Sequence, residues 1–359
     1  MKKGSYLTEK NHFSQILLKW NKEKNDRKMP WKGEKDPYKI WLSEIILQQT
    51  RVEQGLAYYS KFIKTFPTVH LLANASEDKV LKLWEGLGYY SRCRNMHVSA
   101  KFISKELKGK FPDQFESIQS LKGIGPYTAA AIASFAFNLP YAVVDGNVFR
   151  VLSRVFAIHN SIDSIEGKKF FATLANKLLN KAQPGLYNQA IMDFGATVCK
   201  PANPSCNSCI FQKECLAYLT NRVNKLPRKE KKILIQQRRF YFFVLKFRNK
   251  IAIIKRIEKD IWKGLYAFPC FETTKELDVK TIIREAAKYL NLKNTSIEII
   301  DCSAPFVQKL THQTIKAQFA LINLSSKPNV VDELVWIAPK KMVDYAFPGI
   351  INNYLKTAF

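Results

Sequence analysis

Two carboxylates in this chain occupy positions where acid–base chemistry is possible. Glu44 interrupts the apolar run Trp41–Leu47 of a segment with helical periodicity. Partial desolvation there would raise its pKa and let it hold a proton near neutral pH, as a general acid requires. Periodicity alone is equally compatible with a Glu44 that faces solvent. Asp145 stands at the head of the helical segment DGNVFRVLSRVF, where an aspartate is a candidate for chemistry or for an ordinary helix N-cap.

Four cysteines are grouped with metal-ligand spacing. Six, two and five residues separate Cys199, Cys206, Cys209 and Cys215. Four thiolates in so short a span predict a closed metal site, and composition alone allows either zinc or an iron–sulfur cluster. The other cysteines, Cys93, Cys270 and Cys302, are isolated and predicted to be structural.

A glycine-containing turn precedes Asp145. The spacing in residues 117–137 predicts a helix ending near Leu121, a turn with Gly123 and Gly125, and a helix opened by Pro126. Glycines at such a turn bring backbone N–H groups close to an anion, and the positive helix end adds to the attraction. The plainer reading is an ordinary turn between two helices.

The overall charge points to a polyanionic partner. Among 359 residues, 57 are basic and 30 acidic, for a formal net charge of +27. Nucleic acid is the leading candidate, and a lysine-rich solvated surface is the alternative. Residues Met1–Lys10 are polar and no apolar run has the length of a membrane span, so we expect a cytoplasmic protein in a reducing compartment, with no membrane association.

The fold class predicted is multi-domain. Residues up to about 200 show helical periodicity and almost no strand signal, and IWLSEIILQQTRVEQGLAYYSKFI reads as one helix. A basic stretch at residues 217–238 is expected to be a linker that crosses DNA or stays solvated. Residues 239–359 then alternate strands such as RFYFFVLK and ELVWIAP with the helices VKTIIREAAKYL and PGIINNYLKTAF, which predicts an α+β domain.

Together these segments resemble the MutY-type adenine DNA glycosylases of the helix-hairpin-helix, endonuclease III-like superfamily. WLSEIILQQTRV resembles the helix with the catalytic glutamate, GIGPYTAAAI the hairpin, and VVDGNVFRV the segment with the catalytic aspartate. The resemblance implies an all-α catalytic domain at residues 1–216, with the hairpin at 117–137 and a [4Fe–4S] cluster bound by the four grouped cysteines at 199–215. It implies a Nudix-like domain at residues 239–359 that reads 8-oxoguanine.

The resemblance also assigns roles to single residues. Glu44 is the expected acid, Asp145 the carboxylate beside the sugar, and Asn147 its helper. Tyr127 holds the position where strand-cleaving relatives carry a lysine nucleophile, and without an amine no Schiff base can form. Contacts to DNA, to the flipped adenine or to 8-oxoguanine are expected at the positions that match the family: Trp31, Gln49, Tyr89, Gly123, Gly125, Gln189, Thr311 and His312.

Four of these residues fall into two groups with distinct tasks. Trp31 and Gln189 would line the pocket of the flipped adenine, next to Lys32 where arginine is common, whereas Gln49 and Tyr89 would wedge into the duplex. Leu310-Thr311-His312 stands in place of the family's Phe-Ser-His loop.

IWKGLYAFP resembles a Nudix segment, but REAAKYLNL lacks the paired glutamates that hold Mg²⁺, so diphosphate hydrolysis is not expected.

The expected activity is removal of adenine opposite 8-oxoguanine or guanine by a monomeric, nucleoid-associated repair enzyme that hydrolyses the N-glycosidic bond. Double-stranded DNA is the expected partner, with replication or repair proteins as further candidates. Two alternatives stay open: a related glycosylase that excises a pyrimidine, and a non-catalytic DNA-binding protein whose cluster is structural or senses redox.

Overall fold

The computed structural model describes residues 12–230, 234–291, 297–328 and 334–358. The polar segment Met1–Lys10, which carries the expectation about export, lies outside these residues, as do residues 231–233 of the predicted linker. The chain divides into two compact units, residues 1–74 with 98–231 and residues 75–97 with 232–359. In the described ranges, none of the helices has the length and apolar content needed to cross a bilayer.

Helices dominate the first unit and strands the second. The helices are α1 (His12–Glu23), α2 (Pro37–Leu47), α3 (Val52–Thr65), α4 (Val69–Asn74), α5 (Glu77–Trp84), α6 (Tyr90–Lys105), α7 (Phe115–Ser120), α8 (Pro126–Phe137), α9 (Gly146–Val155), α10 (Ile165–Leu178), α11 (Pro184–Thr197), α12 (Leu216–Leu219), α13 (Val279–Leu290) and α14 (Gly349–Ala358). The strands are β1 (Gln236–Phe247), β2 (Lys250–Lys255), β3 (Tyr266–Ala267), β4 (Cys270–Thr273), β5 (Ile297–Cys302), β6 (Phe306–Lys309), β7 (Gln313–Leu324) and β8 (Val335–Ile337).

Capping residues fix where the site-bearing helices begin. Pro37 occupies the first turn of α2 behind Asp36, whose side chain accepts the Tyr38 N–H at 2.9 Å. Pro126 opens α8 in the same way, and α8 ends at Asn138, which adopts a left-handed φ of 55°. Residues 128–134 of α8 are buried all round, which explains its uniformly apolar sequence and makes it the central helix against which the others pack.

The prediction of one continuous helix from residue 40 to residue 63 is wrong. The chain leaves helical geometry between α2 and α3, and Gln49 has a φ of +57°. A left-handed residue cannot continue a right-handed helix, so α3 starts in a new direction at Val52. Apolar periodicity on both sides of the break hid it, because the pattern records burial and not backbone continuity.

Aromatic packing anchors the cysteine segment on the helices of the first unit. Phe211, between Cys209 and Cys215, is fully buried. Its ring stacks on Phe13 of α1 at 4.8 Å and meets Phe194 of α11 edge-on at 5.5 Å. Such aromatic pairs add to the burial of their area. The cysteine segment is therefore part of the helical core and not an appended loop.

The predicted linker is largely folded in its described part. It contains most of α12 and a 3-10 turn at Val223–Lys225, and β1 already begins at Gln236. The Arg154 guanidinium donates to the carbonyls of Val223 and Leu226, both at 3.1 Å. These bonds hold the basic stretch near residues 223–226 against the first unit.

The second unit centres on a mixed sheet with the order β3-β2-β1-β7-β5, in which β1 and β7 are parallel and the other pairings antiparallel. Alternate residues of β1 face opposite sides: Tyr241 and Phe243 belong to the core that includes α13, while Phe242 stacks on Phe319 at 5.0 Å. Tyr354 of α14 stacks on the same Phe319 at 4.0 Å. Burial on both faces explains the continuous apolar run RFYFFVL. The predicted helices and longer strands are present, and β5 and β6 were not predicted.

Candidate active site

One cavity of about 360 Å³ in the first unit gathers seven of the residues singled out from the sequence. Four of them, Glu44, Asp145, Tyr127 and Asn147, are the predicted catalytic residues, and three are Trp31, Gln49 and Gln189. The cavity also has walls that the sequence did not indicate: Arg27, Met29, Leu47, Gln48, Thr50, Val52, Gly146, Met192 and Asp193. Residues from α2, α8, α9 and α11 thus meet around a single space, although they lie far apart in the chain.

Glu44 is buried, with 7% of its surface exposed, so the desolvated arrangement is the one found. Burial raises its pKa to about 7, and the nearby Asp145 carboxylate raises it further, while a hydrogen bond from Tyr127 opposes the rise. A carboxyl with that pKa carries a proton in a large share of molecules near neutrality. Glu44 can therefore act as a proton donor there.

Asp145 is the N-cap of α9 and also lines the cavity, so its capping bond leaves the carboxylate accessible to a molecule bound there. One carboxylate oxygen accepts the Val148 N–H at 2.8 Å, and the other accepts the Asn147 side-chain amide at 2.7 Å. Burial raises the pKa of Asp145, but these donors and the charge of Arg150 oppose that rise. More donors stabilise the ionised form of Asp145 than that of Glu44, so Glu44 is the better proton donor of the two.

Tyr127 lies in the first turn of α8, within the electrostatic influence of both carboxyl groups. Its hydroxyl hydrogen-bonds to Glu44 and lies 3.6 Å from the sulfur of Met192. Burial, together with both neighbouring carboxylates, raises the pKa of Tyr127 well above its usual range. The hydroxyl therefore stays neutral and can donate a hydrogen bond, but it offers no amine nucleophile.

A hydrogen-bonded chain connects Asp145 to the cysteine segment. Arg150 donates to the side-chain oxygen of Asn147 at 2.8 Å, and to the backbone oxygens of Cys199 and Gly195, both at 2.7 Å. Asn147 in turn donates to Asp145. The order is Cys199, Arg150, Asn147, Asp145. Arg150 was missed from the sequence because its position within α9 suggested an ordinary basic helix residue.

The far wall of the cavity is held by a buried carboxylate that the sequence analysis also missed. Asp193 has no exposed surface. It accepts bonds from Arg27 at 2.9 Å, Lys32 at 3.1 Å, and the amides of Asn25 at 2.9 Å and Gln189 at 3.1 Å. Asp193 lies one helical turn after Gln189. The sequence feature that could have identified it is a single acidic residue at that spacing in an apolar helix.

Trp31 closes the same end of the cavity. It is buried and its ring packs edge-on against Tyr59 at 5.4 Å. Trp31 also lines the cavity, where its indole offers a flat apolar surface.

The hairpin glycines do not line this cavity. Gly123 has a φ of +83°, a conformation that side chains disfavour, and it forms the turn between α7 and α8. Gly125 is the residue before α8, with an ordinary φ of −92°. A Cβ at Gly125 would meet no protein atom within 4 Å. Packing within the protein therefore does not require glycine at this position.

Three predicted DNA-contact residues lie in the second unit. The hydroxyls of Tyr89 and Thr311 hydrogen-bond to each other. Thr311 and His312 form the turn between β6 and β7, and the His312 carbonyl accepts the Gln236 N–H at 2.9 Å. Tyr89 is exposed and has a φ of +48°. Both residues predicted to wedge into the duplex, Gln49 and Tyr89, thus hold left-handed backbones, which non-glycine residues keep at a cost of about 1 kcal/mol or more.

The four grouped cysteines surround one space. Cys199, Cys206, Cys209 and Cys215 line a single small cavity together with Arg154, whose guanidinium lies 3.5 Å from the Cys199 sulfur. Within the described ranges, no three His, Cys, Asp or Glu side chains are placed to hold a single metal ion.

Comparison with known proteins gives consistent matches along the chain. Residues 42–177 match the HhH-GPD superfamily of base excision DNA repair proteins, and residues 240–357 match the NUDIX domain. The adenine DNA glycosylase of Buchnera aphidicola from Schizaphis graminum is 35% identical over 349 residues, covering 96% of this chain and 98% of that relative. Its counterpart from Buchnera aphidicola of Acyrthosiphon pisum is 36% identical and covers 97% and 99%.

Among solved structures, a thermostable thymine-DNA glycosylase superposes with a TM-score of 0.55 and 27% identity. The match covers 59% of this chain and 97% of that one. The similarity to the thymine-DNA glycosylase and the HhH-GPD match confirm the predicted helical fold of the first part of the chain. The NUDIX match, together with the observed sheet, confirms the predicted Nudix-like fold of the second part.

Proposed function

This chain belongs to the adenine DNA glycosylase family, and we propose that it hydrolyses the N-glycosidic bond of adenine paired with 8-oxoguanine or guanine. It is a DNA N-glycosylase of the MutY type, which removes adenine in base excision repair. The observation that carries the finer proposal is that Glu44 and Asp145 line one cavity, where burial raises the pKa of both and the hydrogen-bond donors around Asp145 oppose its rise.

The first step is proton donation to the leaving base. Adenine departs poorly as an anion, so we assign Glu44 to protonate it at N7. The raised pKa of Glu44, about 7, supports this assignment, because the acid form is available at neutral pH. Trp31 and Gln189, at the same end of the cavity, are proposed to hold the flipped base.

The second step stabilises the sugar cation that the departing base leaves behind. We assign Asp145 to this role, either as a counter-charge or as the nucleophile of a covalent intermediate, as in two-carboxylate glycosidases. Asn147 and the Val148 N–H support it by holding both carboxylate oxygens. Glu44, once deprotonated, can then activate the attacking water.

We propose a monofunctional reaction, without strand cleavage. Tyr127 stands where a lysine nucleophile would be needed, and its buried hydroxyl stays neutral. It is proposed to orient Glu44 and the sugar by hydrogen bonding.

The cysteine module is proposed to hold a [4Fe–4S] cluster through Cys199, Cys206, Cys209 and Cys215, which the arrangement of the thiols around one cavity supports. Such a cluster bound to four thiolates is a rigid structural anchor as well as a redox-capable group. This chain's own contribution is the guanidinium of Arg154 beside Cys199 and the Arg150 bond to the Cys199 carbonyl.

Recognition of the opposite base is assigned to the second unit. The pairing of Tyr89 with Thr311 supports a joint contact with 8-oxoguanine, since a hydroxyl at the β6–β7 turn can bond to a base edge while an aromatic ring wedges. His312 is proposed to contact DNA at the same turn. We propose residues 1–216 as the catalytic domain, 217–238 as the connection and 239–359 as the reading domain.

A substrate panel with active-site variants tests the function. Single-turnover base release is measured on duplexes with adenine opposite 8-oxoguanine, adenine opposite thymine and thymine opposite guanine. We expect release from the first duplex, with large losses in Glu44→Gln and Asp145→Asn and normal activity in the exposed variant Glu116→Gln. Near wild-type rates in both active-site variants, or preferred release of thymine, would refute the assignment.

A further inference from the structure

A second cavity lies on the other side of Glu44. It measures about 240 Å³ and is also formed entirely within the first unit. Trp31, Glu44 and Gln189 line both this cavity and the active-site cavity. These side chains therefore form the wall between the two spaces, at the end where the base is proposed to bind.

The second cavity has the size and lining for a planar base. An engineered protein cavity of about 150 Å³ accommodates benzene, so a space of 240 Å³ is ample for two fused rings. Ile40, Phe135 and Leu186 supply apolar surface. Gly185 also lines the space, at a point where α11 approaches the Ser134 carbonyl so closely that a Cβ would lie 2.7 Å from it.

The two cavities differ in the residues that surround them. Gln49, Asp145 and Asn147 line only the active-site cavity, which is the side that the proposed function assigns to DNA. The second cavity is lined instead by Lys32, Glu34 and Lys35, and Glu34 pairs with Lys39 at 3.3 Å. Of the proposed catalytic residues, Glu44 alone is among those that line it.

One of the three side chains between the two cavities is less buried than the others and can move more easily. Trp31 and Glu44 are buried, whereas Gln189 is half-buried. Its amide is held by the hydrogen bond to Asp193 at 3.1 Å. Rotation of Gln189 about its side-chain bonds would connect the two spaces without a change in the backbone.

From this arrangement we propose that the second cavity is the exit for the cleaved purine, which leaves past Gln189 while abasic DNA still covers the active-site cavity. The inference rests on the proposed function, and it separates release of the base from release of the DNA. The enzyme can then hold a reactive abasic site after the base has gone.

Rapid filtration after one turnover tests the exit. The full-length protein, in excess, is mixed with a duplex that contains adenine opposite 8-oxoguanine. The adenine base carries one radiolabel, and the backbone of the strand that contains it carries a different label. We expect the wild-type complex to lose the base while the strand remains bound. In Leu186→Trp, which narrows the second cavity from an exposed position, we expect roughly tenfold slower loss of the base with an unchanged rate of bond cleavage.

Leu71→Trp is the matched control, since Leu71 is similarly exposed on α4 and lines neither cavity. Base and strand leaving the wild-type protein together would overturn the proposal, as would base loss from Leu186→Trp at the wild-type rate. Absence of any cleaved base would refute the proposed function itself, and the exit with it.

Discussion

Gly195 and Asn147 pack so closely that a Cβ on Gly195 would lie 2.6 Å from the Cβ of Asn147. This contact between α11 and α9 fixes the backbone of the residue that donates to Asp145. The Gly195 carbonyl also accepts a bond from Arg150, which holds the other end of the Asn147 side chain. The position of the proposed catalytic aspartate thus depends on a glycine in a neighbouring helix.

Gly195→Ala is therefore expected to reduce both stability and base release. The added methyl group would have to displace backbone and Cβ atoms of Asn147, and overpacking of this kind costs about 1–3 kcal/mol. Denaturant unfolding and single-turnover kinetics measure the two effects. Gly146→Ala is the contrast for stability, because its Cβ would meet nothing within 4 Å. Equal unfolding free energies for the two variants would contradict the packing argument.

Burial of Glu44 makes stability depend on pH. Its pKa rises from 4.5 to about 7 in the folded state, so the folded protein binds this proton more tightly than the unfolded chain does. The Glu44 carboxyl group therefore makes its full contribution to the stability of the wild-type protein below pH 4.5. This contribution is lost as the pH rises through 7. Glu44→Gln escapes the loss, and its unfolding free energy relative to wild type should increase by roughly 3 kcal/mol between acidic and mildly basic pH.

Urea titrations at several pH values measure that difference. Glu116→Gln, on the exposed side of α7, should follow the wild-type pH profile. A constant difference between Glu44→Gln and wild type across the range would show that Glu44 is not desolvated.

The candidate acidic residues could be singled out from the sequence, but the way in which they assemble could not be predicted. Glu44 and Asp145 were identifiable because each stands in a recognisable segment. Arg150 and Asp193 were not, because their importance comes from partners far away in the chain, namely Cys199 for one and Arg27 and Lys32 for the other.

The elements show the same limit. The helices α8, α13 and α14 were predictable from caps and apolar periodicity. The break at Gln49 was not, because a single left-handed residue leaves the periodic pattern intact on both sides. The short strand β6 was missed because its residues are alternately half-buried and exposed, so that its pairing with β7 leaves little apolar signal in the sequence.

Asp193→Asn should destabilise the protein strongly. The substitution leaves Arg27 and Lys32 without the carboxylate that compensates their charges, and breaking a buried ion pair costs roughly 3–5 kcal/mol. Thermal or denaturant unfolding measures the change. Asp26→Asn, a substitution at an exposed position in the same loop region, should leave stability unchanged. If both variants unfolded alike, the buried cluster would contribute little to stability.

The cysteine module should give the purified protein a colour. A [4Fe–4S] cluster produces a broad absorption shoulder toward the violet, and Cys206→Ser should lower the absorbance together with the iron and sulfide content. Cys302→Ser, which alters a half-buried cysteine of β5 in the second unit, should keep the colour. Colourless protein that contains zinc would contradict the cluster assignment and would favour a single tetrahedral ion.

The absence of an amine at position 127 predicts that no covalent DNA adduct is trapped by borohydride. Reduction captures a Schiff base between an enzyme amine and the opened sugar, and the buried Tyr127 hydroxyl cannot form one. Wild-type protein should therefore release adenine without a trapped band on a denaturing gel. Tyr127→Lys places an amine beside the two carboxylates, and it should produce such a band while base release persists at a reduced rate. A strong adduct with wild-type protein would show that another amine reaches the sugar and that the reaction is not purely hydrolytic.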